Sequence, residues 1–283
     1  MRIQARAKIN WALQSTGLLP GGYHALDMLM ESVSLEDTLE IFPADELMLT
    51  VDGEVAGDEN LVMRAAKLLQ AHTGCSLGAQ MRLTKRIPAR AGLGGGSADC
   101  AAAMAGLNQM WALGLSQDTL QALGLRLGAD VPFCLMGGLC RARGRGEILT
   151  PLQPEKKACL LIAMGGDGLS TRDVFVQLDR KERLWRGDME AAQAAVICRD
   201  LTALEVCAEN SLYAPAVEIS NLPGEIVADM YAMGAKMARM SGSGSACFGV
   251  FEDGEAARKA LEDKYGFCVL CHTQDAGWKI EEE

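Results

Sequence analysis

The segment Pro88-Ala-Arg-Ala-Gly-Leu-Gly-Gly-Gly-Ser97 puts four glycines into ten residues and runs directly into the alanine-rich Ala98-Asp-Cys-Ala-Ala-Ala-Met-Ala105. With no Cβ in the way, such a loop can turn successive backbone N–H groups inward around an anion. A helix beginning just beyond it adds unpaired N–H donors and the positive end of its dipole. The chemistry on offer is phosphate binding. No Gly-Lys-Ser/Thr follows at Walker spacing, and Ser97 stands where a dinucleotide fingerprint carries its last glycine, so neither motif applies. A plain glycine-rich turn ahead of a helix would account for the composition too.

Three more segments carry residues of the right type. In Ala5-Arg-Ala-Lys-Ile-Asn10, Lys8 and Asn10 are two apart on an expected strand, which points both side chains to one face. An ordinary exposed strand face would read the same way. In Leu127-Gly-Ala-Asp-Val-Pro-Phe133, Asp130 is a carboxylate in apolar company just after a helix, or else a turn or capping residue. Met240-Ser-Gly-Ser-Gly-Ser245 is a second glycine-serine turn, or a plain hairpin. Taken singly each is weak; in combination they suggest one site.

The elements that must position these residues follow from periodicity. Ile3–Lys8 and Asn10–Ser15 read as strands, a third reaches Ser34, Glu36-Asp37 marks a turn, and Thr38–Phe42 and Leu47–Val51 follow as strands. Asn60–Thr73 has helical spacing, and Gln80–Leu83 is a short strand leading into the glycine loop. Ser97 is expected to cap a helix running to about Leu113, and Ser116 opens another to about Leu127. Phe133–Arg143 reads as strand-like. The charged, proline-containing Pro151–Lys157 marks a domain boundary, dividing the chain into 1–153 and 154–283. The second half begins with strand Ala158–Met164. A helix from Ser170, helical sequence over Lys181–Leu204 and a helix over Gly224–Met233 come next. Strands Lys236–Met240 and Ala246–Phe251, a helix over Gly254–Tyr265 and a final strand close the chain. Alternating strands and helices in two halves predict a two-domain α/β or α+β protein of two-layer construction.

Composition narrows the class. The 283 residues carry a net charge of −10, which argues against a nucleic-acid or anionic-membrane binder but leaves room for a local basic pocket around Lys8, Lys85 and Arg86. No apolar run reaches the length of a membrane span, and the N-terminus lacks the apolar core of a signal peptide. Ten cysteines without an export signal point to the reducing cytoplasm. Cys268-Val-Leu-Cys271-His272 has haem-attachment and redox spacing, yet its alternation suits a strand better. Nothing in the sequence indicates a protein partner.

The ordered set Ala7-Lys-Ile-Asn10, Gly22-Tyr-His24, Gly92-Leu-Gly-Gly-Gly-Ser-Ala-Asp99, Leu127-Gly-Ala-Asp-Val-Pro132 and Met240-Ser-Gly-Ser-Gly-Ser-Ala246 resembles the GHMP kinase superfamily over nearly the whole chain. The resemblance implies an N-terminal domain like ribosomal protein S5 and a ferredoxin-like C-terminal domain. It implies transfer of the ATP γ-phosphoryl group to an alcohol, and the Gly-Tyr-His element selects the branch whose acceptor is a cytidine diphosphate sugar alcohol of isoprenoid-precursor synthesis. On that basis Asp130 is the general base, Lys8 its electrostatic partner, and Asn10 orients the acceptor hydroxyl. Pro88, Ala89, Arg90, Ala91, Gly92, Leu93, Gly94, Gly95, Gly96, Ser97 and Ala98 wrap the triphosphate, with Asn60 and Lys85 near the adenosine. Mg²⁺ is expected with ATP, though the sequence supplies no dedicated cage, and Ser97 and Asp99 are candidate contacts. A cytosine ring needs a flat apolar face and hydrogen bonds at its edge, which Tyr23, His24 and Phe175 supply, while Thr171 and Gly242-Ser243-Gly244 complete the substrate side. Met30 replaces an aromatic of some members, and Ser211 in Asn210-Ser-Leu212 replaces an acid, so that segment is given no role. Another small-alcohol kinase of the same fold, or a nucleotide-binding regulator without turnover, is the alternative; a pure binder would need neither Lys8 nor Asp130.

Overall fold

Ile3, Ala5, Ala7, Ile9, Trp11 and Leu13 occupy every second position and are all buried, the signature of one face of a long strand. In the computed structural model, which describes residues 1–181 and 187–281, they belong to a single strand β1 (Arg2–Leu18). It pairs antiparallel with the longer β2 (His24–Ala44). The two separate strands expected over 3–15 are therefore one. The turn expected at Glu36-Asp37 is instead a register irregularity: Arg6 pairs with Glu36, and Lys8, two residues on, pairs with Ser32. A bulge of this kind bends the strand without ending it. It also carries Asp37 into the interior.

Next come β3 (Leu47–Val51), the unanticipated two-residue β4 (Glu54–Val55), helix α1 (Leu61–Thr73) and β5 (Gly78–Thr84). Helix α2 (Gly95–Met110) follows the glycine loop. Ser97 does not cap it: the N-cap is Gly94, in the left-handed region at φ 72°, and Ser97 lies inside the first turn. The small side chains of α2 let it lie close on the sheet; a Cβ on Gly106 would stand 2.3 Å from Ile3 Cδ1 and 2.7 Å from Ile41 Cδ1. Helix α3 (Gln117–Leu125) starts at its expected cap, Ser116, whose hydroxyl accepts from Thr119 N.

The strand reading of Phe133–Arg143 is corrected. Val131–Met136 is helix α4, and only Leu139–Gly144 is strand, β6, followed by β7 (Ile148–Leu152). Pro132 in the first turn of α4 is a helix-starting residue, and Gly137 at φ 71° ends it.

The second half runs β8 (Cys159–Met164), α5 (Thr171–Leu178), α6 (Met189–Cys198), α7 (Leu201–Cys207), α8 (Tyr213–Ile219), α9 (Leu222–Ala232), β9 (Met237–Met240), β10 (Cys247–Val250), α10 (Glu255–Tyr265), β11 (Phe267–Gln274) and β12 (Trp278–Glu281). The helical reading of Lys181–Leu204 divides into α6 and part of α7 at Arg199, which adopts φ 58°, and its portion over 182–186 lies outside the described residues. Helix α8 and strand β12 were not anticipated. The order β9-β10-β8-β11, antiparallel throughout, is that of a split βαβ, ferredoxin-like sheet. Cys268 and Cys271 are buried in β11, as the strand reading requires.

Strand pairing links the halves. Thr273 and Gln274 of β11 pair with Val33 and Ser32 of β2, and β12 returns to pair with β1. A buried ion pair reinforces them: Arg199 at the end of α6 donates to both oxygens of Glu31 on β2, at 2.8 and 2.5 Å, and Trp11 Nε1 donates to the same carboxylate at 2.7 Å. None of the described helices is long and apolar enough to cross a membrane.

Candidate active site

Lys8 and Asn10 sit on β1 where strand face, glycine loop and the turn between β9 and β10 converge, and both are almost wholly buried. The Lys8 ammonium donates to Asn10 Oδ1 at 2.7 Å and stands 3.7 Å from Asp130 Oδ2. Asp130 is held at the start of α4, in the N-cap position, yet its carboxylate makes no capping hydrogen bond. About a third of that side chain is exposed. A carboxylate that faces an open cavity beside a buried cation can accept a proton from a bound hydroxyl.

The glycine loop takes its shape from contacts only glycine allows. Gly92, at φ 77°, lies so near the β9–β10 turn that a Cβ would fall 2.1 Å from Ser241 O and 2.8 Å from Gly244 N. The loop and turn are joined by Ser241 Oγ donating to Gly92 O at 3.1 Å and by Ala246 N donating to Ala91 O at 3.1 Å. Asn10 N donates to Ser241 Oγ at 3.3 Å, and Lys8 N to Leu93 O at 3.0 Å. The cap Gly94 has no side chain to satisfy the first N–H groups of α2, which are left to an anion in the cavity.

A cavity of about 1040 Å³ gathers nearly all the residues singled out in the sequence. Lys8, Asn10, Asp130, Tyr23, His24, Asn60, Lys85, the run Pro88–Ser97, Thr171, Phe175, Gly242 and Ser243 line it. Ala98 and Gly244 do not. The Ala98 N–H is spent on Gly94 O at 2.9 Å and its side chain is buried in α2, while the Gly244 N–H is spent on Ser241 O at 2.9 Å. Asn60 is in place, but its carboxamide oxygen caps α1 by accepting from Val62 N at 2.9 Å.

The aromatic end differs from a simple pair of plates. Phe175 stacks on His24, centroids 4.4 Å apart, and His24 Nε2 lies 2.9 Å from Asp179 Oδ1, one helical turn beyond Phe175. Arg145 places its guanidinium 3.7 Å from the centre of the Tyr23 ring. Thr171 Oγ1 and Ser243 Oγ are 2.8 Å apart, joining α5 to the β9–β10 turn. Arg145 and Asp179 were missed. The i+4 spacing from Phe175 could have flagged Asp179; Gly144-Arg-Gly146 reads only as a turn.

Asp37 was missed as well. Its Oδ1 accepts from Arg86 N and Ile87 N at 2.5 and 2.8 Å, fixing the entry to the glycine loop, and its Oδ2 contacts the Lys85 ammonium. Asp99 Oδ2 takes the other side of that ammonium at 2.5 Å. Burial pushes Asp99 up to about 8; Lys85 opposes the shift and Asp37 adds to it. Burial disfavours the Lys85 charge, but Asp99 and Asp37 together outweigh it and hold its pKa above the ordinary value. Asp99 Oδ1 is buried without a hydrogen-bond partner.

The chain is similar to known proteins in sequence and in fold. Residues 60–138 match the GHMP kinases N terminal domain and residues 190–265 the GHMP kinases C terminal domain. The 4-diphosphocytidyl-2-C-methyl-D-erythritol kinase of Pelotomaculum thermopropionicum is 42% identical over 90% of each chain. That of Gloeobacter violaceus is 36% identical over 100% of this chain and 97% of its own. A crystal structure of 4-(cytidine 5'-diphospho)-2C-methyl-D-erythritol kinase superposes with a TM-score of 0.83 at 34% identity, covering 96% of this chain and 99% of that one. Homoserine kinase from Cytophaga hutchinsonii shares the fold, with a TM-score of 0.77 at 18% identity over 99% and 96% of the two chains.

Proposed function

The chain belongs to the GHMP kinases, and from that premise we propose that it transfers the γ-phosphoryl group of ATP to a hydroxyl of 4-diphosphocytidyl-2-C-methyl-D-erythritol. The product would be the 2-phosphate, an isoprenoid precursor of the methylerythritol phosphate pathway. The observation that carries the reading is the 3.7 Å approach of Lys8 to Asp130 in a cavity with a glycine loop on one wall and a Tyr23–His24–Phe175 cluster on another.

Phosphoryl transfer asks a protein for alignment and charge neutralisation. Asp130 takes the proton of the attacking hydroxyl as the new O–P bond forms and the bond to the ADP leaving oxygen breaks. Lys8, beside Asp130, stabilises charge on the transferring group, while Asn10, hydrogen-bonded to Lys8, orients the hydroxyl. The N–H groups from Gly92 to Ser97 and the N-terminus of α2 hold the triphosphate. Lys85 and Asn60 lie toward the adenosine. Tyr23, His24 and Phe175 take the cytosine by its face and edge, with Thr171 and the Gly242–Ser243 backbone beside the diphosphate sugar alcohol.

The described residues do not form a magnesium cage. Among the described residues no three acidic, histidine or cysteine side chains converge on a metal position, and Asp99 turns one oxygen onto Lys85 and seals the other in the interior. Mg²⁺ would enter as part of the nucleotide, coordinated by phosphate oxygens and water. We further propose that the chain divides into domains at 153/154 and acts in the cytoplasm, where its ten free cysteine thiols stay reduced.

A coupled ADP-release assay offering the cytidine compound, homoserine and mevalonate in parallel tests the assignment. Turnover with the cytidine compound alone is expected; turnover only with another alcohol overturns it.

A further inference from the structure

Asn210 lies outside the residues given roles above, in the segment whose acidic neighbour is replaced by Ser211. Its carboxamide nitrogen donates to two carbonyls of the β9–β10 turn, Met240 O at 3.0 Å and Gly242 O at 2.8 Å. Its carboxamide oxygen accepts from Leu212 N at 2.9 Å. Three of its four hydrogen-bonding positions are thus committed.

The backbone on either side of Asn210 is tied to the strand that carries Lys8 and Asn10. Leu13 N donates to Glu209 O at 2.9 Å, Ser211 N donates to Leu13 O at 2.8 Å, and Leu13 bridges Asn210 in parallel register. Ser15 N donates to Ser211 Oγ at 3.2 Å. One short segment therefore grips β1 with its main chain and the Ser211 hydroxyl, and the turn with the Asn210 carboxamide.

The turn needs that grip. Gly242 and Gly244 have φ of 55° and 76°, conformations that glycine adopts freely and does not hold by itself. The opposite side of Gly242 faces the reacting groups: a Cβ there would stand 3.2 Å from Lys8 Nζ and 3.3 Å from Asn10 Oδ1. A small shift of the turn therefore reaches the Lys8–Asn10 pair directly.

We propose that Asn210 is a positioning residue, which fixes the Gly242 turn against Lys8 and Asn10 and so sets the geometry of phosphoryl transfer. The inference rests on the kinase reading for its catalytic consequence, and on the hydrogen bonds alone for its structural one. An amide is required because both partners are carbonyls. Aspartate has the same shape, but when ionised it offers only acceptors and would repel them.

The test compares Asn210→Ala and Asn210→Asp with wild type, using Ser211→Ala as the neighbouring control. Losing two hydrogen bonds of ordinary strength predicts a kcat lower by about 30-fold in Asn210→Ala, and a greater loss in Asn210→Asp. ATP affinity, measured without acceptor, should fall less than kcat, because the hydrogen bonds removed are to the turn and not to the loop N–H groups that hold phosphate. Hydrogen exchange supplies the second readout. The amides of Ser241 and Gly244, which donate to Ala246 O and Ser241 O, should exchange faster in both Asn210 variants and at the wild-type rate in Ser211→Ala. If Asn210→Asp does not fold, Asn210→Ala alone decides. Wild-type kcat in that variant overturns the proposal, and so does a loss of kcat with Ser241 and Gly244 exchanging as before. Faster exchange across the whole fold would also overturn it, since that marks general destabilisation. Absence of turnover in the wild type with the cytidine compound counts against the kinase reading only; the exchange rates still decide the role of Asn210.

Discussion

Replacing Gly92 with alanine tests whether the glycine loop and the β9–β10 turn are packed as described. A Cβ at this position falls 2.1 Å from the Ser241 carbonyl oxygen, and ordinary contact begins at 3.4 Å, so loop and turn must separate by 3.4 − 2.1 = 1.3 Å. Both partners are backbone, and no rotamer change relieves the overlap. Holding alanine at φ 77° costs about 1–2 kcal/mol. The separation also breaks the Ser241–Gly92 and Ala246–Ala91 hydrogen bonds, worth about 1 kcal/mol each. The expected loss is therefore about 3–4 kcal/mol of folding stability. Gly96 provides the matched control. It lies in the first turn of α2 without positive φ, and its Cβ would meet only Leu61 Cδ1 at an ordinary 3.6 Å. Alanine there should be neutral or add up to about 1 kcal/mol by helix propensity. Denaturant unfolding of both variants at fixed pH measures the contrast. Equal stability of the two variants, or a Gly92→Ala protein as stable as wild type, would refute the packing argument.

Three other outcomes are expected. Asp130→Asn should lower kcat by at least about 10³-fold while ATP binding, measured by calorimetry without acceptor, changes little; lost ATP affinity with preserved turnover would contradict the role of base. Arg199→Leu should cost about 3–5 kcal/mol in urea unfolding because it strands the buried Glu31 carboxylate, and adding Glu31→Leu should recover part of that loss; additive losses would count against a buried pair. Asp99, raised by burial to about 8, binds its proton more tightly folded than unfolded, so its contribution is fully present below its ordinary value and disappears as pH rises through about 8. Wild-type stability should accordingly fall relative to Asp99→Asn between about pH 4 and 8, and parallel curves in denaturant unfolding would contradict the shift.

The polar centre of the site was legible because its chemistry is written locally. Lys8 and Asn10 share a strand face by period two, and the glycine loop announces a backbone conformation that other residues cannot hold. Ala98 and Gly244 were overreached: the same motifs include residues whose N–H groups the helix and the turn consume internally. Asp37 and Arg145 were not legible, because their roles depend on partners far away in the chain, and Asp179 was open only to the i+4 spacing from Phe175. Asp37 reaches Lys85, and Asp179 reaches His24, across 48 and 155 residues respectively. Asn210 was hidden for the same reason, since its partners are carbonyls, which have no sequence signature. The strand reading of Phe133–Met136 failed because a short apolar run has no period long enough to separate helix from strand; Pro132 and Gly137 were the informative residues. The expected cap Ser97 lost to Gly94, whose lack of a side chain leaves the helix end open toward the cavity.

The most direct test of the central claim is to incubate the purified protein with ATP, Mg²⁺ and 4-diphosphocytidyl-2-C-methyl-D-erythritol and identify the products by phosphorus NMR and mass spectrometry. The account predicts one ADP for each new phosphomonoester, with the ester on the 2-hydroxyl of the methylerythritol moiety. ADP formed without a phosphorylated cytidine product, or a phosphate carried at another hydroxyl, would contradict it.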